Sequence, residues 1–318
     1  MEDTMARNKR QKEEPKGFGL ILMDQIQNEG TVHHKLVQQI EEKLGRNVVC
    51  YVSCFPHPAG TIVDEDATII ENLLKSVDLS KYNYQLDLIL HSPGGSPTAA
   101  EKIILTCRSY APNSFRVIVP KTAMSAATLI SMGADKIVMS ETSELGPIDP
   151  QMISVIGQQQ IVRPAAAFID AYLDLVNETK KAIANQEPPH PYIELLRRVD
   201  PVWIQVCLKA RQLSVTIAKE YLKKYMLKNK SEKEIDEIIE CFMKIGEELS
   251  HGRVIRGEKV KDYGLDVELI DKNSEIWNKI WELYLRCENY VQLRHLAKYF
   301  VARNGGINVQ VQAVKILG

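Results

Sequence analysis

The stretch Leu88-Ile-Leu-His-Ser-Pro-Gly-Gly-Ser96 decides the fold of this chain, because it carries an apolar run directly into a Pro-Gly-Gly turn. The apolar residues from Leu86 to Leu90 predict a buried strand. The two glycines that follow let the backbone turn sharply and present N–H groups that no side chain covers. Such bare N–H groups are suited to hold a developing oxyanion.

A second stretch, Lys121-Thr-Ala-Met-Ser-Ala-Ala-Thr-Leu129, follows further along the chain. The residues from Phe115 to Val119 predict another strand, which ends at Pro120, and Ser125 then opens a helix of small residues. A hydroxyl at a helix N-terminus lies beside N–H donors without intrahelical partners and beside the positive end of the helix dipole. Either stretch alone is typical of a turn or a helix cap. Their order and strand-to-helix placement together indicate a serine nucleophile at Ser125 beside an oxyanion hole.

These residues resemble those of the proteases of the Clp/crotonase superfold. Within that superfold the chain is most similar to the serine dehydrogenase proteinase family, itself similar to signal peptide peptidase A and to the Clp proteolytic subunit. The resemblance covers Asn47 to about Met152 and resumes at residues 250–265. The run Glu144-Leu-Gly-Pro-Ile-Asp-Pro-Gln151 is more specific to the serine dehydrogenase proteinase branch.

The resemblance implies a serine peptidase that hydrolyses peptide bonds through an acyl-enzyme formed on Ser125. In the family geometry, the N–H groups of Gly95 and Ala126 form the oxyanion hole. The resemblance also implies self-assembly, since the superfamily commonly builds its sites inside rings or stacked trimers. We therefore expect a peptide or protein substrate and a homo-oligomer.

The order of apolar runs predicts an α/β fold with a parallel β-sheet core. Short apolar runs alternate with amphipathic helical segments between Val48 and Met139, which is typical of a parallel sheet with crossover helices on its faces. Such sheets place their ligands at the carboxyl ends of the strands. We expect a partly disordered tail at residues 1–30, a catalytic core at 31–160, a helical insertion at 161–249, a closing segment of the core at 250–272, and a C-terminal helix and edge strand at 273–318 that contacts another subunit.

A serine needs a base before it can attack a carbonyl. The Clp proteolytic subunit carries its histidine roughly where this chain has Ile148-Asp149-Pro150, so its triad does not carry over unchanged. His251 lies in the closing segment that returns to the active site in the superfamily, and an imidazole with a pKa of about 6.5 serves as base and acid at neutral pH. We predict Ser125, His251 and Asp149 as nucleophile, base and orienter. Asp149 is equally compatible with a structural role in the Gly146-Pro147 turn.

Alternative bases and alternative functions stay open. A lysine base of the signal peptide peptidase A kind would come from Lys181 or Lys121, and either would need burial to lower its pKa by several units. A crotonase-like acyl-CoA enzyme would use the paired amides to hold a thioester enolate. A non-catalytic assembly module with the same fold would need no base. No CoA-binding pattern accompanies the glycines, which favours the peptidase.

Composition indicates an ordinary globular protein. The chain has 318 residues, a formal net charge of −1 and 45% hydrophobic residues, so nothing in its charge points to a nucleic-acid partner. Its six cysteines show no disulfide pattern, which suits a reducing compartment. The apolar run from Phe18 to Met23 is too short to span a bilayer. We therefore expect a cytoplasmic protein with no membrane span, no metal and no cofactor.

Overall fold

The computed structural model describes residues 32–55, 57–156, 159–248 and 254–311 of the chain. Its helices are α1 (Val32–Leu44), α2 (Asp64–Lys75), α3 (Pro97–Tyr110), α4 (Ala126–Met132), α5 (Ala165–Ala184), α6 (His190–Leu196), α7 (Pro201–Lys224), α8 (Glu232–Glu248), α9 (Gly257–Asp262) and α10 (Glu275–Leu293). Its strands are β1 (Asn47–Ser53), β2 (Gln85–His91), β3 (Ser114–Ile118), β4 (Thr122–Ala123), β5 (Lys136–Met139), β6 (Glu144–Leu145), β7 (Gln151–Ile156), β8 (Gln159–Pro164), β9 (Ile255–Arg256), β10 (Val267–Leu269), β11 (Leu296–Ala302) and β12 (Gly305–Gln310).

The main sheet has seven strands in the order β10-β5-β3-β2-β1-β11-β12. The strands from β10 to β1 are parallel, whereas β11 is antiparallel to β1 and β12 is antiparallel to β11. Parallel neighbours need long crossover connections, and the helices between them supply these connections. The predicted α/β fold with a mostly parallel sheet is confirmed.

Apolar side chains cover both faces of this sheet. On β1, Val49 and Tyr51 belong to one buried cluster, which includes residues of α2, α3, α4 and α8. The intervening Val48, Cys50 and Val52 belong to a second cluster with α1 and α10. This alternation is the two-residue period of a strand, and burial of both faces explains why the strand reads as a continuous apolar run. Each fully buried apolar side chain contributes about 1.5–3 kcal/mol, so the sheet is a firm base for the loops at its carboxyl edge.

A second, smaller sheet joins the closing segment to the chain just before Ser125. In it, β4 is parallel to β6, and β6 is antiparallel to β9. The register places Leu145 opposite Ala123 on one side and opposite Ile255 on the other. The chain that follows α8 therefore returns to within two strands of β4.

The chain forms the helices α5 to α8 between Ala165 and Glu248, and α7 buries only part of its apolar face. Ile217 and Tyr221 are buried in the core, whereas Val202, Val206 and Leu213 on the same face are exposed. Because residues four and seven apart share a helix face, this is one apolar stripe. Its C-terminal half is packed and its N-terminal half faces solvent in the single chain.

The C-terminal segment packs against the main sheet. Trp277, Tyr284 and Cys287 of α10 are buried with α1 on one face of the sheet. The strand β12 lies at the edge of the sheet, and its side chains alternate between half-buried and exposed. Within the ranges that the structure describes, no helix is long and apolar enough to cross a membrane.

Candidate active site

Backbone hydrogen bonds join the glycine-bearing turn to the serine-bearing turn. The Ser92 N–H donates to Thr122 O at 3.2 Å, and the Met124 N–H donates to Ser92 O at 3.1 Å. These bonds form a parallel bridge between Ser92 and Ala123. The turn after β2 and the turn before α4 are therefore held side by side at the carboxyl edge of the sheet.

Ser125 has a backbone conformation that is rare for a residue with a side chain. Its φ is 50° and its ψ is −114°, a combination outside the broad regions that L-residues occupy. Ser125 is the N-cap of α4, but its side chain makes no capping hydrogen bond to the helix, so the hydroxyl is not committed to the helix. Backbone outliers of this kind cluster at functional sites, and this one supports a functional role for the half-buried Ser125.

Glycine at position 94 lets the turn approach Ser125 closely. Gly94 has a φ of 93°, and a Cβ there would lie 2.4 Å from Met124 O and 2.7 Å from Ser125 Cβ. Any other residue would therefore push the turn and the serine apart.

Two backbone N–H groups beside this contact are candidates for an oxyanion hole. Ala126 is the first residue of α4, where an N–H has no acceptor within the helix. Among the described residues, no acceptor receives a hydrogen bond from the N–H of Ala126 or from that of Gly95. The Cβ position of Gly94 lies 3.1 Å from Ala126 N, so the glycine turn and the start of α4 are adjacent. The structure thus places Ser125 and Ala126 against the Gly94–Gly95 turn.

Ile62, which the sequence analysis does not single out, holds the glycine turn from its other side. The Ile62 N–H donates to Gly94 O at 2.8 Å, and the Ser96 N–H donates to Ile62 O at 2.9 Å. A trans peptide places its C=O and N–H on opposite sides, so the bond to Gly94 O directs the Gly95 N–H away from Ile62. Ile62 belongs to no motif, and only its pairing in space reveals this contact.

The family model of ClpP-like SDH-type serine proteinases matches residues 20–190, just over half of the chain. The chain belongs to this family. Two curated relatives are uncharacterized proteins of Methanocaldococcus jannaschii. One is 37% identical over 128 residues, which cover 37% of this chain and 41% of the relative. The other is 34% identical over 144 residues, which cover 42% of this chain and 49% of the relative. The chain thus spans less than half the length of these relatives.

His91 lies under the glycine turn of this family member and is buried. Its Nδ1 donates to Thr122 O at 3.0 Å, and its ring packs against Phe55 and Tyr284. Burial lowers the pKa of the imidazole to about 4, so His91 is neutral at physiological pH. These contacts tie β2 to β4, which indicates a packing role.

The two lysines considered as bases have contacts of their own. Lys181 lies exposed on α5, 2.6 Å from Glu178, and the hydrogen bond with Glu178 raises its pKa, whereas a general base needs a lowered one. Lys121 is half-exposed, with its Nζ 3.9 Å from Glu288 of α10 and over the ring of Tyr284. These environments give the lysine alternatives no support.

Asp149 is buried and has partners on two helices. Its Oδ2 accepts the Ala166 N–H at the start of α5 at 3.2 Å. Its Oδ1 lies 3.1 Å from Arg211 Nε on α7. These contacts support the structural role, because they hold the segment that follows the Gly146-Pro147 turn against α5 and α7. The orienting role of Asp149 stays a prediction. Arg211 belongs to no sequence motif, and only its contact with Asp149 in the folded chain reveals it.

His251, the predicted base, lies outside the described residues. The structure describes the elements that precede and follow it in the chain. The helix α8 ends at Glu248, and β9 begins at Ile255 in the small sheet that contains β4.

Proposed function

We propose that this protein is a peptidase that hydrolyses peptide bonds through an acyl-enzyme formed on Ser125. One observation carries the proposal. The serine lies at the N-terminus of α4 in an unusual backbone conformation, beside the Ala126 N–H and in close approach to the glycine turn that carries the Gly95 N–H. Membership of a serine proteinase family supports the same chemistry.

The proposed reaction begins when Ser125 Oγ attacks the carbonyl carbon of the scissile peptide and a base takes the hydroxyl proton. The carbonyl oxygen becomes an anion and accepts hydrogen bonds from the N–H groups of Gly95 and Ala126, near the positive end of α4. The base then gives the proton to the leaving amine, and the rest of the substrate remains as an ester on Ser125. Water attacks this ester while the base takes one of its protons. The base returns that proton to Ser125 Oγ as the ester bond breaks, and the carboxylic acid product leaves the free serine.

His251 is the proposed base, and the length of chain that tethers it supports this. Neighbouring strands lie about 4.8 Å apart, so Ile255 on β9 lies roughly 10 Å from Ala123 across β6. His251 precedes Ile255 by four residues, a length of chain that reaches up to about 14 Å, which exceeds the distance from Ile255 to Ala123. Asp149 completes the proposed triad as orienter.

The protein is also proposed to act as a homo-oligomer. The exposed half of the α7 stripe carries Val202, Val206 and Leu213. Contiguous apolar patches on a surface mark sites of interaction with other proteins. This surface is the one that we propose for contact between subunits.

A fluorophosphonate probe, which reacts with activated serines, tests the peptidase. We expect one label per chain at Ser125, none in Ser125→Ala, and normal labelling in Ser109→Ala, which removes an exposed hydroxyl on α3 that bonds only its own helix. Ser125→Ala is also expected to abolish hydrolysis of a peptide substrate without lowering the melting temperature. Acyl-CoA turnover without labelling would instead indicate the crotonase-like enzyme, and neither activity would indicate the assembly module.

A further inference from the structure

An ion pair between Lys298 and Asp66 is buried near the glycine turn, although the proposed reaction does not use it. Lys298 on β11 and Asp66 in the first turn of α2 are 2% and 1% exposed. The Lys298 Nζ lies 2.8 Å and 2.7 Å from the two carboxylate oxygens. Taking two charges out of water costs free energy that their attraction often fails to recover, so a buried pair is weak evidence for stabilisation. Its contacts point instead to a role in fixing geometry.

The first of two series of contacts, or arms, connects this pair to the glycine turn through the start of α2. Asp66 Oδ2 accepts the Val63 N–H at 3.0 Å, which closes the N-terminus of the helix. Val63 directly follows Ile62, whose N–H and C=O hold Gly94 O and the Ser96 N–H. Asp66 therefore fixes the segment that holds the turn from outside.

The second arm passes through Tyr51, which is buried on β1 and stacks on Phe300. The Tyr51 O–H donates to Asp66 Oδ2 at 2.9 Å, and the Ser92 hydroxyl interacts with the Tyr51 oxygen. Ser92 Oγ in turn accepts the Gly94 N–H at 3.2 Å. The two hydrogen bonds at the ends of this arm have the same direction, because the Tyr51 O–H and the Gly94 N–H both donate away from the turn.

We propose that Lys298, Asp66 and Tyr51 form a positioning network that fixes the Gly94–Gly95 peptide and with it the direction of the Gly95 N–H. The Gly94 N–H is bonded to Ser92 and the Gly94 C=O to Ile62. Asp66 in turn bonds Tyr51 and the residue that follows Ile62. The inference rests on the proposed function, because the direction of this N–H matters to turnover only if it is an oxyanion donor. The three residues act through the turn and are positioning residues.

Tyr51→Phe is the principal test, because it removes one hydroxyl while the ring keeps its place on Phe300 and the ion pair stays complete. Tyr299→Phe is the matched control. It removes a buried hydroxyl from the other face of the sheet, where that hydroxyl lies 3.2 Å from His33 Nδ1. The rate of fluorophosphonate labelling at several probe concentrations separates probe affinity from the rate constant of the covalent step.

Loss of an oxyanion donor costs ~10²–10³-fold in rate, so a displaced donor should cost roughly tenfold. We expect Tyr51→Phe to lower the covalent rate constant by that factor with unchanged probe affinity. Tyr299→Phe should keep the wild-type rate constant, even where its melting temperature falls.

A second variant combines Asp66→Asn with Lys298→Met, so that no buried charge is left without its partner and the fold is kept. Tyr51 and the Val63 N–H both donate to Asp66 Oδ2, and a neutral amide oxygen accepts weaker hydrogen bonds than a charged carboxylate does. We expect this double variant to label more slowly than the wild type.

Hydrogen–deuterium exchange of residues 92–96 distinguishes failure of the network from failure of the proposed function. The Gly94 N–H should exchange faster in Tyr51→Phe than in the wild type or in Tyr299→Phe, whether or not Ser125 reacts. A wild type that shows this pattern but never labels would overturn the peptidase and leave the network. Unchanged exchange in both test variants, or faster exchange with an unchanged labelling rate in a wild type that labels, would overturn the network.

Discussion

At the scale of single residues, the candidate site depends on positions where one side chain, or none, is tolerated. The backbone conformation of Ser125 costs about 1–3 kcal/mol. Backbone hydrogen bonds of Ser92 with Thr122 and Met124 fix the segment that leads into Ser125. Gly94 then lets the neighbouring turn come within contact of the serine. The three residues act together, since each needs the other two to present the hydroxyl beside bare N–H groups.

Gly95→Ala should lower turnover of a peptide substrate by ~10²–10³-fold with little change in KM. A Cβ at Gly95 would lie 2.3 Å from Ile62 N and 2.4 Å from Ile62 O, so the turn must shift and the N–H with it. Gly45→Ala is the matched control, because Gly45 also has a positive φ but open space around its Cβ position. Steady-state hydrolysis of a fluorogenic peptide measures both variants. Wild-type turnover in a folded Gly95→Ala would place the oxyanion hole elsewhere.

His251→Ala should remove activity as completely as Ser125→Ala, because members of one catalytic unit are strongly non-additive. The acylation rate of the wild type should fall below a pH of about 6.5, as the imidazole becomes protonated. Lys181→Ala and Lys121→Ala should keep most of the activity, since both side chains have partners of their own. Pre-steady-state acylation across pH tests all four variants. An active His251→Ala together with an inactive lysine variant would transfer the role of base.

At the scale of elements, local sequence signals predict where a helix begins, whereas contacts between residues far apart in the sequence are not predicted. The helix α3 begins at Pro97 and ends at Tyr110, as the pattern predicts, because Ser96 accepts the Ala99 N–H and Pro97 fixes the first turn. The strand β11 is not predicted, because Lys298 interrupts the apolar run that indicates the other buried strands. Its Lys298 is buried only because Asp66, 232 residues away in the sequence, neutralises it.

The residues of the candidate site show the same difference between local signals and distant contacts. Ser125 and Gly95 belong to short motifs whose residue types suit their chemistry, so the sequence indicates them directly. Ile62 contacts the glycine turn and Arg211 contacts Asp149, both from segments without a motif, and their contacts exist only after the chain has folded. Sequence therefore predicts the reacting groups better than the residues that hold them.

His91 at the end of β2 should make stability depend on pH. Its folded-state pKa of about 4 lies below the ordinary value of 6.5 because the ring is buried, so the unfolded chain binds a proton first as the pH falls. Its contribution is complete above about pH 6.5 and is lost as the pH falls toward 4, to a total of about 3 kcal/mol.

Urea unfolding at several pH values measures this effect. His91→Gln should flatten the fall in the free energy of unfolding between pH 6.5 and pH 4. His190→Gln should not, because His190 is exposed on α6. Parallel curves for the wild type and His91→Gln would show that folding does not lower the pKa of His91.

At the scale of the whole molecule, one apolar surface has no cover within the described part of the chain. Val202 is 69% exposed and Val206 is 41% exposed, one turn apart on α7. The same stripe continues into the core at Ile217 and Tyr221. Ile204 and Cys207, on another side of the N-terminal half, are buried, so α7 is anchored along its length while the side that carries Val202 and Val206 faces solvent. A rigid, anchored helix suits a subunit contact, because little conformational entropy is lost when it binds.

Val202→Asp combined with Val206→Asp should therefore separate the subunits, because each buried carboxylate at an apolar interface would lose its hydration without gaining a partner. Leu105→Asp is the control, since Leu105 is 46% exposed on α3, away from this stripe. Light scattering at micromolar concentration should give a multiple of the monomer mass for the wild type and Leu105→Asp, and the monomer mass for the double variant. Turnover measured on the same samples tells whether the site needs assembly. A monomeric wild type with full activity would contradict the assembly, and an oligomeric double variant would assign the contact to another surface such as β12.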